Sequence, residues 1–288
     1  MIGRPVATIL VRYCEIGLKS TPVRKRFENQ LRDNMLTMLA YDKVEAFVTY
    51  ADARFYIETE NTDGCVRSLK KVFGIVSLSV AEVCSSEMED ICATAAKYSL
   101  GKLSRGDSFA VRARREGDHI YTSMDVGREA GSAIFIANER LGITVDLRSP
   151  DRIFYIEVRN NKAFVFDEYV QCPGGLPLGS QGRVIAEVND DRGTVSAWMM
   201  MKRGCRTLVT GVDDISILKE YDPMLKVLES TENVGKIRGI LGKVSGTTLE
   251  GLKSMDVSKY DVPVYFPTIG MDDRQVHDML CKIRTHSF

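Results

Sequence analysis

Apolar and polar positions follow two rhythms in the first eighty residues. Residues 5–13 form a short apolar run that predicts a buried strand. Residues 22–40 then repeat at helical spacing, with Phe27, Leu31, Met35 and Leu39 on one stripe, Thr21 as the expected N-cap and Pro22 at the first helical position. Two alternating segments, "KVEAFVTY" and "ARFYIETE", meet at Ala51-Asp52 and predict paired strands. A helix over about 63–72 and a strand in "IVSLSVAEV" complete the order β-α-β-β-α-β, the split βαβ or ferredoxin-like pattern.

The pattern then becomes α-β-α-β-β. Ser86 and Glu89 are spaced as a capping box for a helix reaching Leu100, and Thr122 and Asp125 as one for a helix through Arg140. Between them "SFAVRAR" alternates, with Phe109, Val111 and Ala113 on one face and Arg112 and Arg114 on the other. A strand with arginine at every second position commits one face to solvent or to phosphate. "RIFYIEVR", a turn at Asn160-Asn161 and "AFVFDEY" predict a hairpin. "QCPGGLPLGSQG" is dense in Pro and Gly and predicts a linker. Beyond it the rhythm is α/β: a strand at 183–188, a helix at 193–203, a strand at 206–210, then helices and the strand "VPVYF". No internal repeat or low-complexity tract is visible.

Composition narrows the possibilities. The 288 residues are 44% apolar and 27% charged, ordinary values for a globular chain with room for two or three domains. No apolar run approaches 18 residues, so no membrane span is expected. The N-terminus reads as a strand with Glu15 close behind, not as a signal peptide. Seven scattered cysteines without a CxxC pair predict reduced thiols and a cytoplasmic protein. With three histidines and no zinc-ligand spacing, no metal site is expected. Net charge is zero, which excludes a uniformly basic nucleic-acid binder but leaves local patches. Arg12, Lys19, Arg24, Lys25, Arg26 and Arg32 stand against only Glu15 and Glu28. Lys102, Arg105, Arg112, Arg114 and Arg115 stand against Asp107 and Glu116. Each cluster suits either a solvated face or an RNA face.

Two cysteines are weak catalytic candidates. Cys281 has His277 four residues earlier, on the same helical face, with Lys282 and Arg284 nearby, and cations favour a thiolate. Cys172 sits in the Pro/Gly segment, where exposure is expected. Cys14, Cys65, Cys84, Cys92 and Cys205 read as small buried apolar residues, and Trp198 with Met199 to Met201 as core.

Several segments carry a resemblance. "RYCEIGLKSTPVRKRFENQL", "FGIVSLSVAEV", "FAVRARREGDHIYTS", "VDLRSPDRIFYIEVRNNKAFVF", "PGGLPLGSQGRV", "SAWMMMKRG", "GKVSGTTLEGLKSMD", "VPVYFPTIGMDD" and "CKIRT" occur in the order of the tRNA sulfurtransferase family, the enzymes that make 4-thiouridine in tRNA. The chain resembles that family over nearly its whole length. The resemblance implies an α+β ferredoxin-like domain (1–84), a THUMP domain (85–170), the linker (171–182) and an α/β PP-loop domain of the adenine nucleotide α-hydrolase type (183–288). It further implies that the first two domains bind tRNA, the THUMP domain holding the acceptor end, and that the protein is a homodimer. Under it, Lys19, Arg24, Lys25, Arg26, Arg112, Arg114 and Arg115 become RNA-binding candidates.

The departure lies in "GRVIAEVNDDRGTVSAW". The family's nucleotide loop has the form Ser-Gly-Gly-x-Asp-Ser, and its positions fall here on Val188, Asn189, Asp190, Asp191, Arg192 and Gly193. No defining position matches. Backbone N–H groups at a helix start favour an anion, and Asp190 and Asp191 supply one covalently, with Arg192 expected to pair with either. The segment between Leu208 and Ile240 is also short for the family, and the chain stops at Phe288 where the family continues to a cysteine-bearing segment. The expected function is therefore tRNA binding or presentation to a separate modifying enzyme, without a cofactor. The alternative is an active thiolation enzyme using ATP and Mg, with a rebuilt nucleotide site or one supplied by a partner.

Overall fold

The computed structural model describes residues 7–13, 15–211, 214–228 and 239–288. Cys14 lies outside the described residues. Two compact units are resolved. One comprises residues 1–11, 49–62 and 79–170, and the other residues 12–48, 63–78 and 171–288. This division runs through the ferredoxin-like segment, assigning most of its strand residues to the first unit and its helices to the second.

The first segment runs β1 (Ala7–Arg12), α1 (Thr21–Tyr41), β2 (Phe47–Ala51), β3 (Arg54–Thr59), α2 (Thr62–Leu69) and β4 (Ser77–Ser85). The second runs α3 (Met88–Ser99), β5 (Ser108–Glu116), α4 (Ser123–Ala137), β6 (Thr144–Val145), β7 (Arg152–Arg159) and β8 (Lys162–Phe166), with β9 (Val170–Gln171) after it. The strands form one nine-stranded sheet, in the order β2-β3-β1-β4-β8-β7-β5-β6 with β9 beside β4. Its first four strands show the ferredoxin-like order. β4 then pairs antiparallel with β8, matching Glu82 to Val165 and Cys84 to Ala163, so the two patterns share a hydrogen-bonded seam. Ile91, Phe109, Val126, Ile134, Phe154 and Val165 form a core where α3 and α4 meet the sheet.

The third segment is β10 (Arg183–Glu187), α5 (Asp191–Lys202), β11 (Arg206–Thr210), α6 (Ser216–Tyr221), β12 (Lys226–Val227), β13 (Ile240–Val244), α7 (Leu249–Lys253), β14 (Val264–Tyr265) and α8 (Asp273–Thr285). Its strands pair in parallel in the order β12-β11-β10-β13-β14. The chain leaves β10 toward β11 and returns to its other side at β13, so the strand order reverses there. In open α/β sheets ligands bind beyond the carboxyl ends of the strands at such a point. Val184, Ala186, Val195, Trp198, Leu218 and Leu280 fill the core of this segment.

Three capping expectations meet different outcomes. Thr122 and Asp125 form the expected capping box on α4. On α1 the N-cap is Ser20, one residue before Thr21, and it makes no side-chain cap bond. On α3 the N-cap is Glu87. Ser86 makes no cap, and the Ser85 hydroxyl instead accepts from the Glu87 N–H at 3.1 Å and donates to Asp90 at 2.5 Å. A hydroxyl one position upstream satisfies the helix start, which spacing alone could not distinguish. Among the described residues no helix is long and apolar enough to cross a membrane.

Candidate nucleic-acid interface and the start of helix α5

The alternation of β5 is realised in space. Phe109 and Ala110 are buried, Val111 and Ala113 half-buried, and Arg112 and Arg114 exposed. Neither arginine has an ion-pair partner among the described residues, whereas Arg115 donates to the Gly117 carbonyl at 2.8 Å. Glu157 lies beside Arg114 on the neighbouring strand. Its carboxylate is engaged by Arg159 at 3.3 Å and approached by Arg54 at 4.0 Å. Arg112 and Arg114 thus present unpaired charge on a rigid strand. Lys102, from the same sequence cluster, is paired with Asp167 at 2.8 Å.

The other face of β5 borders an open groove of about 930 Å³ between α4 and the sheet edge, lined by Val111, Ala113, Phe135, Ile136, Val145 and Leu147. The alternation places Val111 and Ala113 on the face opposite the arginines, without indicating a groove. Gly127 and Gly131, one turn apart on α4, leave the groove open, since a Cβ at either would meet nothing nearer than 3.8 Å. Arg128 stands beside it, paired with Asp125 at 3.0 Å and Glu129 at 3.1 Å.

The basic cluster at α1 belongs to the other unit. Lys19, Lys25 and Arg26 are exposed. Arg26 also lies over the Phe27 ring, 5.2 Å from its centroid. Arg24 is half-buried and donates to the Gly17 carbonyl at 2.5 Å, closing the turn before the helix. Arg12, counted with this cluster from the sequence, is buried and does not join an exposed patch. Arg32 sits 3.2 Å from Asp33.

At the start of α5, Asp190 is the N-cap and its carboxylate accepts from the Gly193 N–H at 2.7 Å. The expected pairing of Arg192 with Asp190 or Asp191 is not what forms. Arg192 is buried and turns toward α8, donating to the carbonyls of Thr268 (3.0 Å) and Met271 (2.9 Å) and to the Asp273 carboxylate (2.8 Å). A buried guanidinium needs several fixed acceptors, and the loop before α8 offers two carbonyls. Asp191 does not cap; its nearest cation is Arg284 at 3.9 Å. The loop after β13 also lies against this helix start. A Cβ on Gly246 would fall 2.5 Å from the Gly193 nitrogen. An anion at this helix end would compete with the Asp190 carboxylate for the Gly193 N–H, beside the Gly246 loop.

The strand-order reversal also holds a buried ion pair that periodicity does not mark. Lys243 on β13 is buried, with its ammonium 2.5 Å from Glu187 at the end of β10 and donating to the Tyr260 hydroxyl at 2.8 Å. The signal was a lysine inside the apolar run "ILGKV", which demands a buried partner.

The cysteine expectations divide. Cys172 is buried, contrary to its expected exposure, and burial pushes its thiol up to about 12. The chain before Gly174 is tied to the residues that lead into β4, with Cys172 N–H donating to the Val76 carbonyl and Gly174 N–H to the Ile75 carbonyl, so a Pro/Gly segment here is packed. Cys65 and Cys205 are buried as expected, whereas Cys84 and Cys92, expected to be buried, are only half-buried. Cys281 is exposed, its sulfur 3.5 Å from His277 Nε2. Among the described residues no group of three or more His, Cys, Asp or Glu could hold a metal ion.

The geometry can be set beside known proteins. Residues 8–79 match the ThiI ferredoxin-like domain and residues 85–167 the THUMP domain. A probable tRNA sulfurtransferase of Methanobrevibacter smithii is 34% identical over 244 residues, covering 82% of this chain and 62% of that protein. The chain belongs to the tRNA sulfurtransferase family. Another relative, from Methanosarcina acetivorans, is 39% identical over 70% of this chain, and the chain spans 50% of its length. The relative from Methanocaldococcus jannaschii is 29% identical, with 96% of this chain and 88% of that one covered. Among solved structures, PH1313 from Pyrococcus horikoshii superposes with a TM-score of 0.81 at 28% identity, covering 97% of this chain and 99% of its own. A 4-thiouridine synthetase solved as an RNA complex with bound ATP shares the fold, at a TM-score of 0.78 and 23% identity over 98% of this chain and 86% of its own. This family member thus has a ferredoxin-like domain and a THUMP domain followed by an α/β domain.

Proposed function

We propose that this chain is a tRNA-binding member of the tRNA sulfurtransferase family that works without adenylating chemistry of its own. The observation that carries the second half is the Asp190 carboxylate on the Gly193 N–H, under a loop packed against the same helix start. In this reading Val188 to Gly193 are a degenerate nucleotide loop, retained because the strand–turn–helix folds the α/β domain. The THUMP match and the names of the relatives support the RNA half. Arg112 and Arg114 supply phosphate contacts, which position an RNA without reading its sequence. Arg115, Lys19, Lys25 and Arg26 add charge, and Arg24 adds what its tie to Gly17 leaves free. The groove beside Val111 and Phe135 suits the base faces of an unpaired acceptor end. The protein then presents tRNA to a separate modifying enzyme, as a cytoplasmic homodimer.

Two titrations of the full chain test this. Filter binding with tRNA and with an acceptor-stem RNA should show binding at low salt, weaker when the unpaired end is removed. Calorimetry with Mg-ATP should show no heat of binding. A dissociation constant for ATP tighter than about 100 μM, roughly 5.5 kcal/mol, would overturn the non-adenylating reading in favour of a thiolation enzyme with a rebuilt site. Absence of RNA binding at low salt would overturn the RNA reading.

A further inference from the structure

The nine-stranded sheet has a second face, turned away from the core that Phe109, Phe154, Ile156 and Val165 share with α3 and α4. Strand register fixes which residues belong to it. Arg112 and Arg114 on β5 lie beside Tyr155 and Glu157 on β7, these lie beside Phe166 and Phe164 on β8, and Phe164 lies beside Val83 on β4. Residues paired across neighbouring strands point to one side, so the exposed arginines and the aromatic positions share a surface. On it the buried Leu10, Ala81, Phe164 and Phe166 pack against the rings of Tyr56, Tyr155 and Tyr169. Tyr56 stacks on Phe164 with centroids 5.2 Å apart, and Tyr155 on Phe166 at 5.4 Å. Tyr56 and Tyr155 are half-buried, and neither hydroxyl has a hydrogen-bond partner among the described residues.

Beside this aromatic layer lies an open pocket of about 320 Å³, lined by Tyr56, Phe164, Arg159, Lys162, Glu58 and Thr8. Its size falls within the range of small-ligand pockets. Arg159 is committed to Glu157, Glu116 and the Asp52 carbonyl, so it forms a fixed wall. Lys162 on β8 is exposed, without an ion-pair partner among the described residues. Glu58 on β3 is exposed three strand spacings away, roughly 14 Å. A phosphate is drawn to the lysine and repelled by the glutamate, whereas Glu58 can accept from the exocyclic amine of a base. We propose that this sheet face is a second RNA surface, on which a single-stranded segment runs from Arg112 and Arg114 to Lys162 and seats one nucleotide in the pocket, its base against the Tyr56 ring. The proposal rests on the RNA reading of the chain. Sheet faces that hold single strands do so by stacking bases on exposed rings beside cations. Phe164 is two strands from Arg114, roughly 10 Å, so one strand of RNA reaches both. The groove beside Phe135 lies on the opposite face.

The experiment uses the full chain and a short single-stranded oligocytidylate, with tRNA, a blunt RNA duplex and free CMP beside it. Ultraviolet cross-linking and peptide mapping by mass spectrometry should place the oligocytidylate on the peptide carrying Tyr56 or Phe164. Tyr56→Leu should weaken its binding about tenfold. Lys162→Ala should weaken it about threefold and lower the salt slope by about 0.7. Neither change should alter binding of the duplex. Lys162 is exposed, so Lys162→Ala should keep the wild-type melting temperature and decides the matter if Tyr56→Leu does not fold. Oligocytidylate that binds without a cross-link at those peptides, and equally well to Lys162→Ala, would overturn this surface and leave tRNA binding standing. Binding of tRNA without any binding of oligocytidylate would do the same. Failure of both RNAs to bind at low salt would remove the RNA reading and this surface together. A heat of binding for free CMP that disappears in Lys162→Ala would overturn an RNA strand as the occupant in favour of a free nucleotide.

Discussion

Arg192, in the first turn of α5, donates to Asp273 at the start of α8 at 2.8 Å, yet the two side chains live in different surroundings. The guanidinium is 10% exposed and the carboxylate 99% exposed. Water screens the ion pair, and the carbonyls of Thr268 and Met271 are the partners that hold Arg192 in place. Asp273→Ala should therefore lower stability by less than about 1 kcal/mol. Arg192→Met should lower it by about 2–3 kcal/mol, because acceptors around Thr268 are left unsatisfied in the interior. Urea unfolding of both variants checks the order, and equal losses would assign the strength to the ion pair.

The start of α5 gives a second comparison. Asp190→Ala removes the cap on Gly193 and should destabilise by about 1 kcal/mol. Gly246→Ala forces a Cβ to 2.5 Å from the Gly193 nitrogen and should do more harm, about 1–3 kcal/mol. Removing the carboxylate at 190 should not by itself create ATP binding, because the Gly246 loop remains. Calorimetric binding of Mg-ATP to Asp190→Ala would show that this loop yields.

RNA binding through Arg112 and Arg114 should be mainly electrostatic. Each phosphate neutralised contributes roughly 0.7 to 0.9 to the log–log dependence of association on salt. The double alanine variant should lose about one to two units of slope and bind most tRNAs equally less well. An unchanged slope would place the RNA elsewhere. Leu147→Ser, in the groove, should weaken binding of RNA with an unpaired end and leave a blunt stem unaffected.

Acid should loosen the C-terminus. Burial lowers the pKa of His286, Glu220 at 3.0 Å opposes that shift, and burial prevails. The folded state therefore binds this proton more weakly than the unfolded state, whose histidine titrates near 6.5. Stability contributed by neutral His286 is present above that pH and declines as pH falls through it. His286→Gln should flatten the decline in melting temperature between pH 7 and 5.5. The Phe288 ring, stacked on Trp198 with centroids 5.4 Å apart, should make Trp198 fluorescence a reporter of the change.

The periodicities announced most elements because each was locally decisive. Alternation over 108–114 gave β5 and its two faces, and the Thr122–Asp125 spacing gave a true capping box. Where neighbouring hydroxyls compete, as at Ser20/Thr21 and Ser85/Ser86, spacing could not choose, since the winner depends on the direction in which the chain enters the helix. The site was less legible for a related reason. Arg192 beside two aspartates invites a local pairing, but its partners come from residues 76 to 81 positions later. The groove is not legible in a linear pattern, because it exists only where the short β6 at the sheet edge leaves Val145 and Leu147 uncovered. Lys243 and Glu187 lie 56 residues apart, brought together by parallel pairing of β10 and β13.

The antiparallel seam between β4 and β8 has a bearing on how such a chain can be taken apart. Cutting after Ser85 would leave the ladder of β4 bare on one fragment and that of β8 bare on the other, two long unprotected borders of the kind that recruit strangers. Neither piece would be a clean module. Whatever becomes of the α/β part, the ferredoxin-like and THUMP parts are bound to be inherited or lost as one.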